Sequence, residues 1–120
     1  MEWVKVKSFG EELELRLVFE NYQDSNNTAI ILEEYNEEYG FFEEYFIATV
    51  NVESLKLDEN FVAIKNYSEN EGVLEALIEA NILEKEAVTI AYSGFVELPV
   101  HKLTDKAIRV RDEQLVGVGL

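Results

Sequence analysis

Cysteine is absent from the 120 residues, proline and histidine occur once each, and 10 basic side chains stand against 25 acidic ones. Each shortage excludes a class of chemistry. Without cysteine there are no disulfides, thiolate zinc sites, iron–sulfur clusters or thiol nucleophiles, a composition that suits a reducing cytosol. With His101 as the sole imidazole and no G-x-S-x-G elbow, a hydrolytic triad has no scaffold, and His101 is expected to be a partly exposed residue of an edge strand. A zinc site would need three carboxylates. Asp24-Ser25-Asn26-Asn27-Thr28 opens like a calcium loop but lacks the third oxygen ligand, the glycine and the closing glutamate. No glycine-rich phosphate loop occurs. The sequence therefore predicts no catalytic, cofactor-binding or metal-binding residue, and a non-enzymatic protein.

Long apolar runs are missing too. Met1-Glu2-Trp3-Val4-Lys5-Val6-Lys7 has no signal-peptide core, so a cytoplasmic protein is expected, in which the sequons at Asn26 and Asn66 stay unmodified. A formal charge of -15 opposes contact with nucleic acid or an anionic membrane.

What is present is a chain able to bury a core: 48% of residues are hydrophobic and 12% aromatic. Leu13, Leu15, Leu17 and Phe19 alternate with Glu12, Glu14 and Arg16, the period of a strand with one buried face. This strand forms a hairpin with Trp3 to Phe9 about Gly10, and the polar turn Gln23 to Asn27 ends it. Thr28 to Glu34 predicts a strand covered on both faces. Phe41 to Val52 predicts its partner across a tip at Asn36 to Gly40. Leu55 and Leu57 fall in a connection, and Phe61 to Ile64 makes a short fifth strand.

Ser68-Glu69-Asn70-Glu71 has the spacing of a capping box, which predicts a helix over about 69–80 ending near Asn81. Ala87 to Tyr92 then reads as a strand with Val88, Ile90 and Tyr92 inward, turning at Ser93-Gly94. Pro99 places Phe95 to Leu103 at a sheet edge or out of the sheet. Beyond Thr104 neither period dominates, so 104–120 reads as a loosely ordered tail. The sum is one α+β domain over 1–120, a mostly antiparallel sheet of five to seven strands with one main helix packed on it.

Charge is unevenly placed. Residues 11–59 carry a net -12 and residues 61–120 a net -4. Glu33, Glu34, Glu37, Glu38, Glu43 and Glu44 crowd the arms and tip of one predicted hairpin, interleaved with Tyr35, Tyr39, Phe41, Phe42 and Tyr45. Crowded like charges cost stability. Carboxylates beside aromatic rings fit a contact surface for a basic partner, with Glu33, Glu34, Tyr35, Glu37, Glu38, Tyr39, Glu43, Glu44 and Tyr45 as the binding residues. Lys102, Lys106, Arg109 and Arg111 are expected to serve as intramolecular counter-charge for that acidic face. The competing reading is a regulatory, self-associating or ligand-binding β domain whose charge only keeps it soluble, with a sheet edge or groove near Phe95 as its working surface.

The order Tyr22-x-Asp24, Ala29-Ile30, Thr49-Val50-Asn51, Asn66, Ser93-Gly94-Phe95 and Leu98-Pro99 resembles a family of small acidic proteins of unknown function carried on plasmids, conjugative elements and prophages of Gram-positive bacteria. The match spans about residues 22–103. It departs where similar proteins have Asn-Asn in place of Asn66-Tyr67 and Tyr-Pro in place of Leu98-Pro99. The resemblance implies no catalytic residues. It implies a setting in which small acidic proteins act against host defence, some as nucleic-acid mimics, and so a basic surface of a DNA-targeting host protein as the expected partner.

Overall fold

A computed structural model describes residues 2–52 and 57–118. Leu55, expected in a connection, lies outside the described residues. The described residues build seven antiparallel strands in two sheets, with two α-helices. The first sheet is a meander of β1 (Trp3–Ser8), β2 (Glu11–Asn21), β3 (Thr28–Asn36) and β4 (Phe41–Ile47). The second has the order β5 (Phe61–Ala63), β7 (Val96–Leu103), β6 (Leu83–Ser93). Instead of one sheet covered by one helix, two sheets share the work. Strand β4 stops at Ile47 rather than running to Val52, because the next residues cross between the sheets: Ala48 N donates to Ile30 O at 2.9 Å, and Val50 N to Ala63 O at 3.0 Å.

The first sheet follows its alternation. Val4, Val6, Leu15, Leu17, Phe19, Ile30 and Leu32 point inward and are buried. Residues 28–32 are buried on both faces, as the unbroken apolar run predicts. Ser8 pairs with Glu11 across a two-residue turn in which Phe9 (φ 49°) and Gly10 (φ 81°) both have positive φ, the type I′ geometry that matches strand twist.

The helix expected over 69–80 is shorter: α1 spans Val73–Glu79. Ser68 does not cap it. Ser68 has φ 57° and opens a 3-10 turn, and the Glu71 carboxylate accepts from Phe9 N at 3.4 Å instead of closing a capping box. Gly72, with φ 86°, starts the helix, and a Cβ there would lie 2.0 Å from the Lys7 carbonyl oxygen. That approach seats α1 against β1. Asn81 ends the turn after α1 with φ 61°, as anticipated, and Ile82 and Leu83 pack beneath it.

Three further expectations are reversed. Pro99 lies in β7, the central strand of its sheet, because its carbonyl accepts from Ile64 N at 2.9 Å. A strand residue turns its N and C=O to the same side, so the absent N–H faces the end of β5 and the ladder to β6 loses nothing. Val88, Ile90 and Tyr92 face solvent, with Ala91 taking the buried place against Leu98 and Val100. The irregularity at Ala87/Thr89 breaks the alternation there. The longer helix is α2, Asp105–Val118, in the segment that neither period decides. Thr104 caps it by accepting from Ala107 N at 3.1 Å, and Ala107 and Arg111 are buried beneath it.

Side chains from α2 and the 3-10 turn finish open strand edges. Gln114 acts on β2 where β1 has ended, accepting from Phe19 N at 2.8 Å and donating to Leu17 O at 3.0 Å. Asn70 donates to Ile47 O of β4 at 2.8 Å. Replacing Gly72 by alanine should force α1 off β1 and strain φ, lowering unfolding free energy by about 2 kcal/mol or more in urea titrations. A variant as stable as the parent would show that the Lys7 contact is freely adjustable.

Candidate functional site: the acidic hairpin

Past Leu32 and Phe46 the arms of the β3–β4 hairpin leave the core, and the side chains of residues 34, 35, 37–41 and 43–45 are exposed. The register sets Glu33 opposite Glu44, Glu34 opposite Glu43 and Tyr35 opposite Phe42. Between the Leu32–Phe46 and Glu33–Glu44 pairs the register skips Tyr45, a bulge that turns its ring aside, edge-on to Phe46.

The six glutamates do not share a face. Glu33 and Glu44, with Tyr35 and Phe42, stand on the side away from the core. Glu34 and Glu43 stand on the other with Asn36 and Phe41, because neighbours along a strand alternate. Glu37, Glu38 and Tyr39 occupy the tip, where Tyr39 N donates to Asn36 Oδ1 at 3.1 Å and Gly40 N to Asn36 O at 2.8 Å. Asn36 Nδ2 also reaches Glu43 Oε1 at 3.2 Å. Opposed carboxylates have Cβ atoms about 5 Å apart, close enough to repel.

One cation relieves this. Trp3, Arg16, Glu33 and Glu44 are successive register partners across all four strands of the sheet. Arg16 donates through Nε and Nη2 to Glu33 Oε1, the former at 3.0 Å. Its guanidinium carbon lies 3.5 Å from the centroid of the Phe42 ring, which also meets Trp3 and Tyr35 at centroid distances of 6.0 and 5.1 Å. This seating of an arginine on one aromatic ring, itself packed by two others, was not legible in the hairpin's own sequence, since Trp3 and Arg16 come from β1 and β2. Among the described residues, Glu33 is the one hairpin glutamate with a cation within salt-bridge range.

Two of the basic residues expected to balance the hairpin, Arg111 and Lys106, do other work. Arg111 is buried and donates through Nη1 to Glu59 O at 2.7 Å and Asn60 Oδ1 at 2.9 Å, fixing the turn before β5. Lys106 lies 3.3 Å from Glu2 and donates to Ala80 O at 3.1 Å. His101 is buried in the central strand β7 rather than exposed at an edge, and its Nδ1 lies 2.9 Å from Glu84 O, so that nitrogen carries the proton. Among the described residues, no three His, Asp or Glu side chains stand together as metal ligands, and no helix is long and apolar enough to cross a membrane.

At the base of the hairpin, the Tyr22 hydroxyl lies 2.9 Å from Thr49 Oγ1. Burial pushes the Tyr22 phenol above its ordinary value. The Thr49 hydrogen bond opposes that rise, and the negative field of Glu44 adds to it. No protein-family model, curated protein or solved structure matches the chain.

Two tests follow from this geometry. Arg16→Ala removes the charge from among Glu33, Phe42 and Trp3, and should destabilise the fold by roughly 1–3 kcal/mol, with part of the loss recovered by adding Glu33→Gln. Additive losses in that cycle would mean the ion pair is energetically idle. For Tyr22, a folded pKa above the unfolded one means the native state keeps a proton that the unfolded chain releases. Stability should therefore fall as pH rises from about 10 and level off above the folded pKa. Tyr22→Phe should remove that alkaline component in denaturation curves taken across the range, and identical slopes for both proteins would refute the assignment.

Proposed function

We propose that this is a binding protein rather than an enzyme, and that the β3–β4 hairpin is its contact surface for a basic protein. The observation that carries this reading is the pair of like-charge cross-strand rungs, Glu33 opposite Glu44 and Glu34 opposite Glu43, with a single arginine among six carboxylates. Such rungs cost folding energy, and charge kept only for solubility is placed more cheaply on dispersed sites. Held apart from the core, the carboxylates face outward on both sides of the hairpin. The exposed rings of Tyr35, Tyr39 and Phe41 supply the apolar area that interface centres favour.

The partner class that fits is a groove lined with lysine and arginine, such as a DNA-targeting host protein uses for the phosphate backbone. Carboxylates on two faces and a tip engage the walls of a groove better than they engage a flat patch. Occupying it would exclude nucleic acid by competition, in keeping with the mobile-element setting that the sequence resemblance implies.

The test is displacement of a labelled DNA duplex from sequence-independent DNA-binding proteins. The parent protein should compete, less well as salt shortens the Debye length from about 8 Å. Changing the six hairpin glutamates to glutamine should abolish competition. An equal-charge control altering Glu11, Glu12, Glu14, Glu20, Glu75 and Glu79 should retain most of it. Equal loss in both would assign the effect to bulk charge and overturn the hairpin as the site.

A further inference from the structure

Among the described residues, the 87–93 part of the β6 edge is the strand edge left bare of charge and cover. Strand β1 is flanked by α1, the free part of β2 by Gln114, β4 by Asn70 at Ile47, and β5 by the Ala48–Val50 crossing. The distal edge of β4 carries Glu43 and Glu44. Strand β6 has β7 on one side and, among the described residues, no strand on the other. Residues 87–96 form the longest run without a charged side chain in a protein of net charge -15. Within this run Val88, Ile90, Tyr92, Phe95 and Val96 are exposed.

The backbone facing that edge is identifiable. Ile90 is the register partner of Pro99, whose carbonyl is turned to Ile64 and whose nitrogen has no proton. The Ile90–Pro99 pair is therefore of the non-hydrogen-bonded type, and the N–H and C=O of Ile90 point away from β7. So do those of Tyr92, two residues on. Among the described residues these donors and acceptors have no strand partner, and such a row beside apolar side chains is a template for another strand.

We propose that the occupant is a second copy of this chain, forming a two-fold dimer by antiparallel pairing of β6 with β6 centred on Ile90. Charge decides between registers. Centred on Ile90, Thr89 opposes Ala91, Val88 opposes Tyr92 and Ala87 opposes Ser93, while Glu86 falls beside Gly94, so no charge meets a charge and a β-branched residue meets an aromatic at both ends. Centring on Val88 would set Glu86 against Ile90 and Glu84 against Tyr92, placing carboxylates against apolar side chains. Two chains of this net charge approach most cheaply where neither carries any. The dimer uses no residue of the acidic hairpin and presents two such hairpins at once, which raises avidity for a partner with paired basic grooves.

Sedimentation velocity of the full chain from about 1 to 300 µM should show growth from 13.8 kDa toward twice that mass. Raising salt should strengthen association by screening net repulsion, the opposite of its effect on capture by a basic partner, so failure of one reading is separable from failure of the other. Val88→Lys alone and Tyr92→Glu alone should each weaken the dimer about tenfold or more, and the double variant, with opposite charges facing each other at both ends, should recover it. The recovery also shows that the single variants fold. Because the chain has no cysteine, Ile90→Cys gives a single thiol that should form a covalent dimer under mild oxidation, whereas Glu113→Cys on α2 should not. A parent protein monomeric throughout, or a dimer indifferent to both Val88→Lys and Tyr92→Glu, overturns the proposal.

Discussion

Three backbone hydrogen bonds around Ala48 to Val50 hold the two sheets to one another, and the positions of both exposed hairpins depend on them. Ala48 takes the carbonyl of Ile30 in the first sheet while its own carbonyl accepts from Lys65 at 2.8 Å, and Val50 reaches Ala63 in the second. Thr49 between them pairs in register with Ile64 and holds the Tyr22 hydroxyl. Each bond alone contributes only about 1 kcal/mol net. Their effect is geometric, since a chain that left β4 one residue later would present opposite side chains to both sheets. Val62 and Ile64 thereby join the same buried cluster as Leu15, Leu17 and Ile30, and one core serves strands from both sheets.

The hairpins of the first sheet were legible because local chemistry specifies them. Gly10, the polar run at Gln23 to Asn27 and the Asn36 to Gly40 tip are turn signals that need no tertiary context, and the Leu13 to Phe19 alternation shows which face is wet. The errors fall where long-range contacts decide. Ser68 to Glu71 has a capping-box spacing, but a close approach to Lys7 moves the helix start to Gly72. Across 87–93 of β6 the larger residues alternate as a core face would, yet Ala91 alone is buried there, because Leu98 and Val100 already fill that side. Helix α2 escapes periodicity because its anchors, Arg111 and Gln114, are polar residues that bind backbone carbonyls and amides rather than an apolar stripe.

The candidate site was half legible. Composition located the hairpin and its nine proposed contact residues, but the pleat divides them between two faces. The arginine beside them comes from a neighbouring strand that no local pattern connects to the hairpin. The result is a molecule with two contrasting ends to its strand system: one hairpin dense in carboxylates, the other without charge for ten residues. On the two readings proposed for these surfaces salt acts in opposite directions, so ionic strength is the natural variable for separating what each one does.

The Gln114 amide completes β2 in place of a strand, and it lies 97 residues downstream of the Leu17 carbonyl it binds. A growing chain emerges from the ribosome in order, so the first sheet is available to form long before its edge is finished. During that interval Leu17 and Phe19 present an uncapped ladder beside a buried apolar row, the kind of surface that recruits stray strands. Because α2 follows in chain order the strand edge it closes, that edge depends on a segment made after it, and the closure matters to folding as well as to the folded state.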